Sequence, residues 1–188
     1  MISPQQVALS TDEAQITEFF LSSVGQWRSQ RRYYTLLEGD TKEIVSIITI
    51  RFLEQGAEEL QKLALMHDLP DSVSLICGAE VIWESTNSLT QRHESKGSTL
   101  FGVLGNILYR DRGFATPRPV TAEYYFPKAQ TLCLRTEYNG SVFEEELKLI
   151  GSQYRTRQTI ISRAGQQLMI GQYLEKRMDG ETIKHNFL

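Results

Sequence analysis

The chain has 188 residues, 40% of them hydrophobic and 23% charged, a size and balance that support a single domain with its own core. A formal charge of −3 argues against a broad electrostatic grip on nucleic acid, and no apolar run approaches the roughly 20 residues of a membrane-spanning helix, so neither nucleic acid nor membrane is expected as a partner. The first six residues lack the basic and apolar regions of a secretion signal, and the two cysteines, Cys77 and Cys133, form no Cys-x-x-Cys pair, which together point to a reduced, cytoplasmic setting.

Ser10 and Glu13 stand at capping-box spacing, and Ile16, Phe19, Phe20 and Ser23 then mark one helical face that Gly25 brings to an end. Residues 26–37, rich in Trp, Tyr and Leu, and the β-branched residues 43–53 are expected to be strands around a turn at Gly39-Asp40. Residues 55–67 place Leu60, Leu63, Ala64 and His67 on one face, which predicts a second helix broken by Leu69-Pro70-Asp71. From residue 73 the period changes to two. Val73, Leu75, Cys77, Ala79, Val81 and Trp83 alternate with polar residues, as in a strand with one buried face. Shorter strands are expected at 97–104 and 106–111, followed by a turn-rich loop at 113–119. Five strands of about ten residues follow at 120–126, 130–138, 141–150, 154–163 and 167–177, separated by short turns that include the hairpin signal Asn139-Gly140.

Strands joined in this way form an up-and-down antiparallel meander, and a count of about ten favours closure, because closure removes exposed edges. The expected fold is a mainly β, up-and-down barrel over residues 1–178, of the kind that encloses one ligand cavity, with an N-terminal helix, a second short helix and a polar tail at 179–188. Such a chain is built to hold a ligand rather than to cut a bond. His67, His93 and His185 are too scattered for a metal site, so none is expected, and neither a Gly-x-Ser-x-Gly elbow nor a Gly-rich phosphate loop occurs. Cys77 lies on the apolar face of its strand. Cys133 alternates with Arg135 and Glu137 on a polar face, without a neighbour that would make it a nucleophile.

Two adjacent strands carry an unusual charge pattern. Phe143, Glu145, Leu147 and Leu149 share one face, which puts Glu145 on the apolar side, and Arg155, Arg157 and Thr159 share a face of the next strand. A two-residue turn at Gly151-Ser152 sets Arg157 opposite Glu146 on the outside, as a surface ion pair worth little. A three-residue turn through Gln153 sets Leu147 opposite Arg157 and Leu149 opposite Arg155, with Glu145 within diagonal reach of Arg157. Both registers stand open, with the surface arrangement slightly ahead because charge runs are usually solvated. The inward register has a specific chemistry. Arginines inside a barrel suit ligand carboxylates, a buried glutamate suits a cationic N–H cluster, and a Trp such as Trp83 suits a conjugated body. A linear tetrapyrrole combines all three features, whereas a fatty acid has only the carboxylate.

Four segments then resemble one family, the S-type (CpcS/CpeS-like) phycobiliprotein lyases. Gly25-Gln26-Trp27-Arg28-Ser29-Gln30-Arg31 is similar to its opening Gly-x-Trp-x-Ser-x-Arg, and Trp83-Glu84-Ser85 to its central Trp-Glu motif. Glu144-Glu145 followed by Arg155-Thr156-Arg157 resembles its late Glu-Glu and Arg-x-Arg pattern, and Ile170 to Glu175 with Arg177 its closing strand. The likeness runs from about Thr11 to Met178. It implies a lipocalin-like barrel that binds phycocyanobilin or a related bilin as substrate, with no tightly bound cofactor. It also implies delivery of that bilin to a cysteine of an apo-phycobiliprotein of the phycocyanin or allophycocyanin type, and a homo-oligomer. Carried over by that likeness, Glu145 is the catalytic residue and Arg155, Arg157, Trp83 and Thr159 contact the bilin. Arg31 and Arg32 stand evenly between such a role and a solvated strand face. A lipid or pigment carrier with the same barrel and no catalytic role is the alternative, and an assembly module acting through its surface a third.

Overall fold

In the computed structural model the described residues are 10–87, 90 and 92–178, so the expected tail at 179–188 and His185 lie outside them. The element order is α1 (Thr11–Ser23), β1 (Gly25–Thr35), β2 (Thr41–Glu54), α2 (Glu58–Met66), β3 (Cys77–Asn87), β4 (His93–Leu104), β5 (Ile107–Arg110), β6 (Val120–Lys128), β7 (Thr131–Tyr138), β8 (Ser141–Ile150), β9 (Tyr154–Arg163) and β10 (Gln166–Arg177). Each strand pairs with its neighbours in sequence, and β1 pairs antiparallel with β10, which closes the expected barrel of ten strands. Among the described residues no helix is long and apolar enough to cross a membrane.

Alternation sends one face of each strand inward. Ile48, Ile50, Cys77, Ala79, Val103, Leu108, Ala122, Tyr124, Leu132, Leu134 and Leu149 join α1 in a single core cluster. The capping box starts α1 as expected. Ser10 Oγ accepts the Glu13 N–H at 3.2 Å, and the Glu13 carboxylate accepts the Ser10 N–H at 2.9 Å. Ile16, Phe19 and Phe20 are buried, and each such side chain contributes about 1.5–3 kcal/mol, more than the cap, so packing seats this helix. Glu13 also accepts the Gly105 N–H at 2.9 Å, which ties α1 to the β4–β5 turn. The helix therefore stops that end of the barrel, while the Asn139-Gly140 turn and the 111–119 segment lie at the other.

The motif residues around Gly25 serve this seal. Val24 caps the helix and Gly25 opens β1 at φ +120°, a conformation that L side chains rarely adopt. The Trp27 indole N–H donates to the Ser23 carbonyl at 2.9 Å, and Arg177 stacks on Trp27 while donating to the carbonyls of Ser22 and Val24. A cation on the last carbonyls of a helix also complements its dipole.

Three sequence expectations shift. The strand expected at 97–104 begins at His93, its first residues pairing with Ser85 and Thr86 of β3. The β3 strand starts at Cys77 rather than at 73, because Leu75 turns outward to pack with Leu53, Leu60 and Leu63 under α2. Helix α2 spans Glu58–Met66 and not the full 55–67, because Gly56 takes φ +86°. The α2 seat is a cross-strand pair of glycines, Gly78 opposite Gly102. A Cβ at Gly102 would lie 2.5 Å from Leu75 Cδ1 and 2.9 Å from Leu63 Cδ2. Gly102→Val is expected to destabilise the fold by about 1–3 kcal/mol. A lower urea midpoint at unchanged m is the observable, and an unchanged midpoint would mean that α2 is not packed in this slot.

Candidate functional site

The barrel encloses a cavity of about 590 Å³, within the ~300–1,000 Å³ typical of small-molecule sites. Phe19, Phe20 and Ser23 of α1 form its floor. One wall is apolar, with Ile48, Ile50, Ala79, Val81, Trp83 and Phe101, and the other carries Glu145, Arg155, Arg157, Arg110 and Arg31.

The charged wall exists because the β8–β9 turn has three residues. Ile150 pairs with Tyr154, Leu149 with Arg155, Leu147 with Arg157 and Glu145 with Thr159. Gly151 at φ +58° supports the longer turn, and a one-residue slip would turn every one of these side chains to the opposite face. The surface arrangement favoured by the sequence is therefore corrected: Glu145 and Arg155 are only 4% and 5% exposed. Their burial is offset by pairing, which the charge pattern of one strand alone did not reveal.

Two ion-pair groups result. Nearer the floor, Arg155 Nε donates to Glu175 Oε2 at 2.5 Å, Ser29 Oγ donates to Glu175 Oε1 at 3.1 Å, and the Arg155 guanidinium stands 5.0 Å from the Trp27 ring centre. Burial pushes the Glu175 carboxyl up, but Arg155, Arg157 and Ser29 outweigh this and hold it below its ordinary value. Farther from the floor, Arg157 Nη2 donates to Glu145 Oε2, and Arg110 Nη1 donates to Glu145 Oε1 at 3.4 Å. Burial lowers the pKa of both guanidiniums. Glu145, Tyr173 and Glu175 more than reverse this at Arg157, whereas Glu145 reverses it only in part at Arg110. That contrast follows the geometry, in which Arg157 is the closer partner.

Of the expected site residues, Glu145, Arg155, Arg157 and Trp83 line the cavity together. Thr159 is buried opposite Glu145 but does not line the cavity. Arg31 points inward over the Tyr173 ring, while Arg32 points outward and pairs with Glu43. Cys77 faces inward beside Thr17. Cys133 faces outward as expected, though it is sheltered by Tyr125. Three contributors were not singled out from the sequence. Arg110 shares a strand face with Leu108, and Glu175 shares one with Tyr173, so each is a charge on an inward face, the same signal that marked Glu145. Phe114 comes from the 111–119 loop, where no periodicity points to it, and its ring lies 4.7 Å from the Arg110 guanidinium.

The buried polar atoms without a hydrogen-bond partner among the described residues are Ser23 Oγ, Arg110 Nε, Thr136 Oγ1, Arg157 Nε and Thr159 Oγ1, and Ser23, Arg110 and Arg157 line the cavity. Unmet hydrogen-bonding capacity in an enclosed space is what a polar ligand would use.

The sequence profile of CpeS-like proteins matches residues 15–178. The chain is 72% identical, over 95% of its length and 99% of the relative's, to a protein of Nostoc sp. with the provisional name phycocyanobilin lyase CpcS 2. It is 47% identical, over 90% of its length and 85% of the relative's, to a Picosynechococcus protein with the provisional name chromophore lyase CpcV. The structure of the S-type phycobiliprotein lyase CpeS from Guillardia theta superposes with a TM-score of 0.73 at 21% identity, over 92% of this chain and 99% of that one, which extends the likeness to the fold. This chain belongs to the CpeS-like protein family.

Proposed function

We propose that this chain is a phycobilin lyase that takes phycocyanobilin or a related linear tetrapyrrole into the barrel and directs its attachment to a cysteine of an apo-phycobiliprotein. The observation that carries this reading is the charge of the cavity wall. Five guanidiniums, of Arg31, Arg110, Arg112, Arg155 and Arg157, line the cavity, and three carboxylates pair with them, Glu145 in the wall and Glu175 and Asp111 behind it, leaving an excess of two positive charges. Two propionates match that excess, and guanidinium forks bind carboxylates through charge-assisted hydrogen bonds. The apolar wall with Trp83 suits a long conjugated body. A single fatty-acid carboxylate would leave the excess half compensated and would offer Glu145 no N–H group of the ligand.

In the reaction the acceptor's thiol sulfur adds to the ethylidene group of ring A. The C–S bond forms, the C=C π bond is consumed and the thiol proton ends on the adjacent ring carbon, so no oxidant is needed. The nucleophile belongs to the acceptor, in keeping with the burial of Cys77 and Cys133 here. Glu145 faces the pyrrole N–H groups and favours the protonated, electrophilic bilin, while Arg157 and Arg31 hold propionates. Acceptors of the phycocyanin or allophycocyanin type, met in the cytoplasm, complete the proposal.

Mixing the purified chain with phycocyanobilin is expected to shift the bilin's absorbance at micromolar protein, and an unshifted spectrum would overturn the reading. Binding without transfer to an apo-phycobiliprotein would favour a carrier. Arg157→Ala removes a charge-assisted hydrogen bond of about 1.5–3 kcal/mol, so bilin affinity is expected to fall about 10- to 100-fold. The exposed Arg163→Ala control leaves affinity unchanged, and equal losses from both would remove Arg157 from the site.

A further inference from the structure

We propose that Arg110 is a positioning residue for Glu145, staying on that carboxylate when the bilin draws Arg157 away. The inference deepens the bilin reading above and rests on it.

Glu145 divides its two oxygens between two guanidiniums, Oε1 to Arg110 and Oε2 to Arg157. The two arginines are not equally held. Both border the cavity, but the Arg157 side chain is 22% exposed, with its guanidinium 5.1 Å from the Tyr173 ring centre and 5.9 Å from that of Phe114. The Arg110 side chain is 6% exposed, and its guanidinium lies between the rings of Phe101 at 5.0 Å and Phe114 at 4.7 Å. Phe114 is stacked on Phe143 at 5.1 Å, and Phe143 on Tyr138 at 4.7 Å, so the clamp belongs to a three-ring stack. The Tyr138 hydroxyl accepts the Ala115 N–H, and Asp111 accepts from Thr99 and the Leu100 N–H, which fixes the segment on both sides of Phe114. The more accessible cation is therefore Arg157, and the caged one is Arg110.

A propionate entering the cavity competes with Glu145 for its cations, and the caged guanidinium is the one it reaches least. Transfer of Arg157 to the propionate would leave Glu145 uncompensated next to an anion if Arg110 were absent. With Arg110 in place, Glu145 keeps one cation and one free oxygen, and that oxygen is available to pyrrole N–H groups. Arg110 also lines the cavity, but on this proposal its effect on the chemistry passes through Glu145.

The test uses phycocyanobilin, an apo-phycocyanin subunit as acceptor, and the full chain carrying Arg110→Met or Arg110→Lys. Arg110→Met is expected to lower bilin affinity by less than 10-fold, through the lost positive charge, but to lose the red-shifted band of the protonated bound bilin and to transfer bilin at least 10-fold more slowly at saturating bilin. Arg110→Lys, which returns a cation to the cage, is expected to restore the band and most of the transfer rate. If Arg110→Met does not fold, Arg110→Gln takes its place with the same expectations. A neutral variant with the unmodified spectrum and rate overturns this proposal alone, and so does one whose affinity falls as far as its rate, since Arg110 would then anchor the ligand directly. An unmodified chain that gives no bilin spectrum overturns the bilin reading, and this proposal with it.

Discussion

Glu175→Ala is expected to destabilise the barrel by about 3–5 kcal/mol, the largest effect of any single carboxylate among the described residues. Glu175 is 1% exposed and Arg155 5%, and the substitution strands the Arg155 guanidinium against the fully buried Trp27 with no counter-charge. It also removes the acceptor of Ser29 Oγ. The loss arises from an orphaned charge and not from a lost attraction, so removing both partners behaves differently. Arg155→Met with Glu175→Leu is expected to recover most of the stability. Urea unfolding of the two single variants and the double variant measures this. A Glu175→Ala chain within about 1 kcal/mol of the unmodified one would mean that water reaches Arg155. The pH dependence has a definite sign. Because Glu175 titrates below its ordinary value of about 4.3 in the folded state, its contribution is fully present above that value. It is lost as pH falls through the lower folded-state value, so Glu175→Gln should flatten the acid limb of the stability profile.

How much of this was legible in the sequence depended on whether the signal was local. Alternation in Phe143 to Leu149 and in Cys77 to Trp83 is a property of one strand, and Asn139-Gly140 declares its hairpin, so the strands, their inward faces and closure could be read directly. The turn at Gly151-Ser152-Gln153 was different. Two-residue and three-residue loops both suit those residues, and the choice is made by what the whole strand gains by facing inward. A rule that treats charge runs as solvated missed that Arg155 meets Glu175 and that Glu145 meets Arg110. Those partners come from β10 and β5, and their pairing belongs to the closed barrel. Arg110 and Glu175 nevertheless carried the signal that marked Glu145, a charge in phase with apolar neighbours, and asking that question of every strand would have found them. Phe114 lies in a loop without period, and only its placement over Arg110 makes it visible.

Glu145→Gln is expected to separate binding from chemistry. Unlike Glu175, Glu145 borders the cavity, and its closer partner Arg157 is partly accessible. The glutamine oxygen still accepts from a guanidinium, so the stability loss should stay near 1–2 kcal/mol, well short of that for Glu175→Ala. The substitution raises the positive excess of the cavity-lining arginines and their partners from two charges to three, counted over Arg31, Arg110, Arg112, Arg155 and Arg157 against Glu175 and Asp111. Affinity for a ligand with two propionates should therefore hold or rise. Transfer should nevertheless fall about 100-fold, the lower range for removing a group that manages a proton in the reaction, because nothing then favours the protonated bilin. Opposite movements of affinity and rate are difficult to produce by general damage to the fold, which lowers both. A Glu145→Gln chain that transfers bilin at the unmodified rate would take Glu145 out of the chemistry and leave the carboxylate only a structural task, the mutual screening of Arg110 and Arg157.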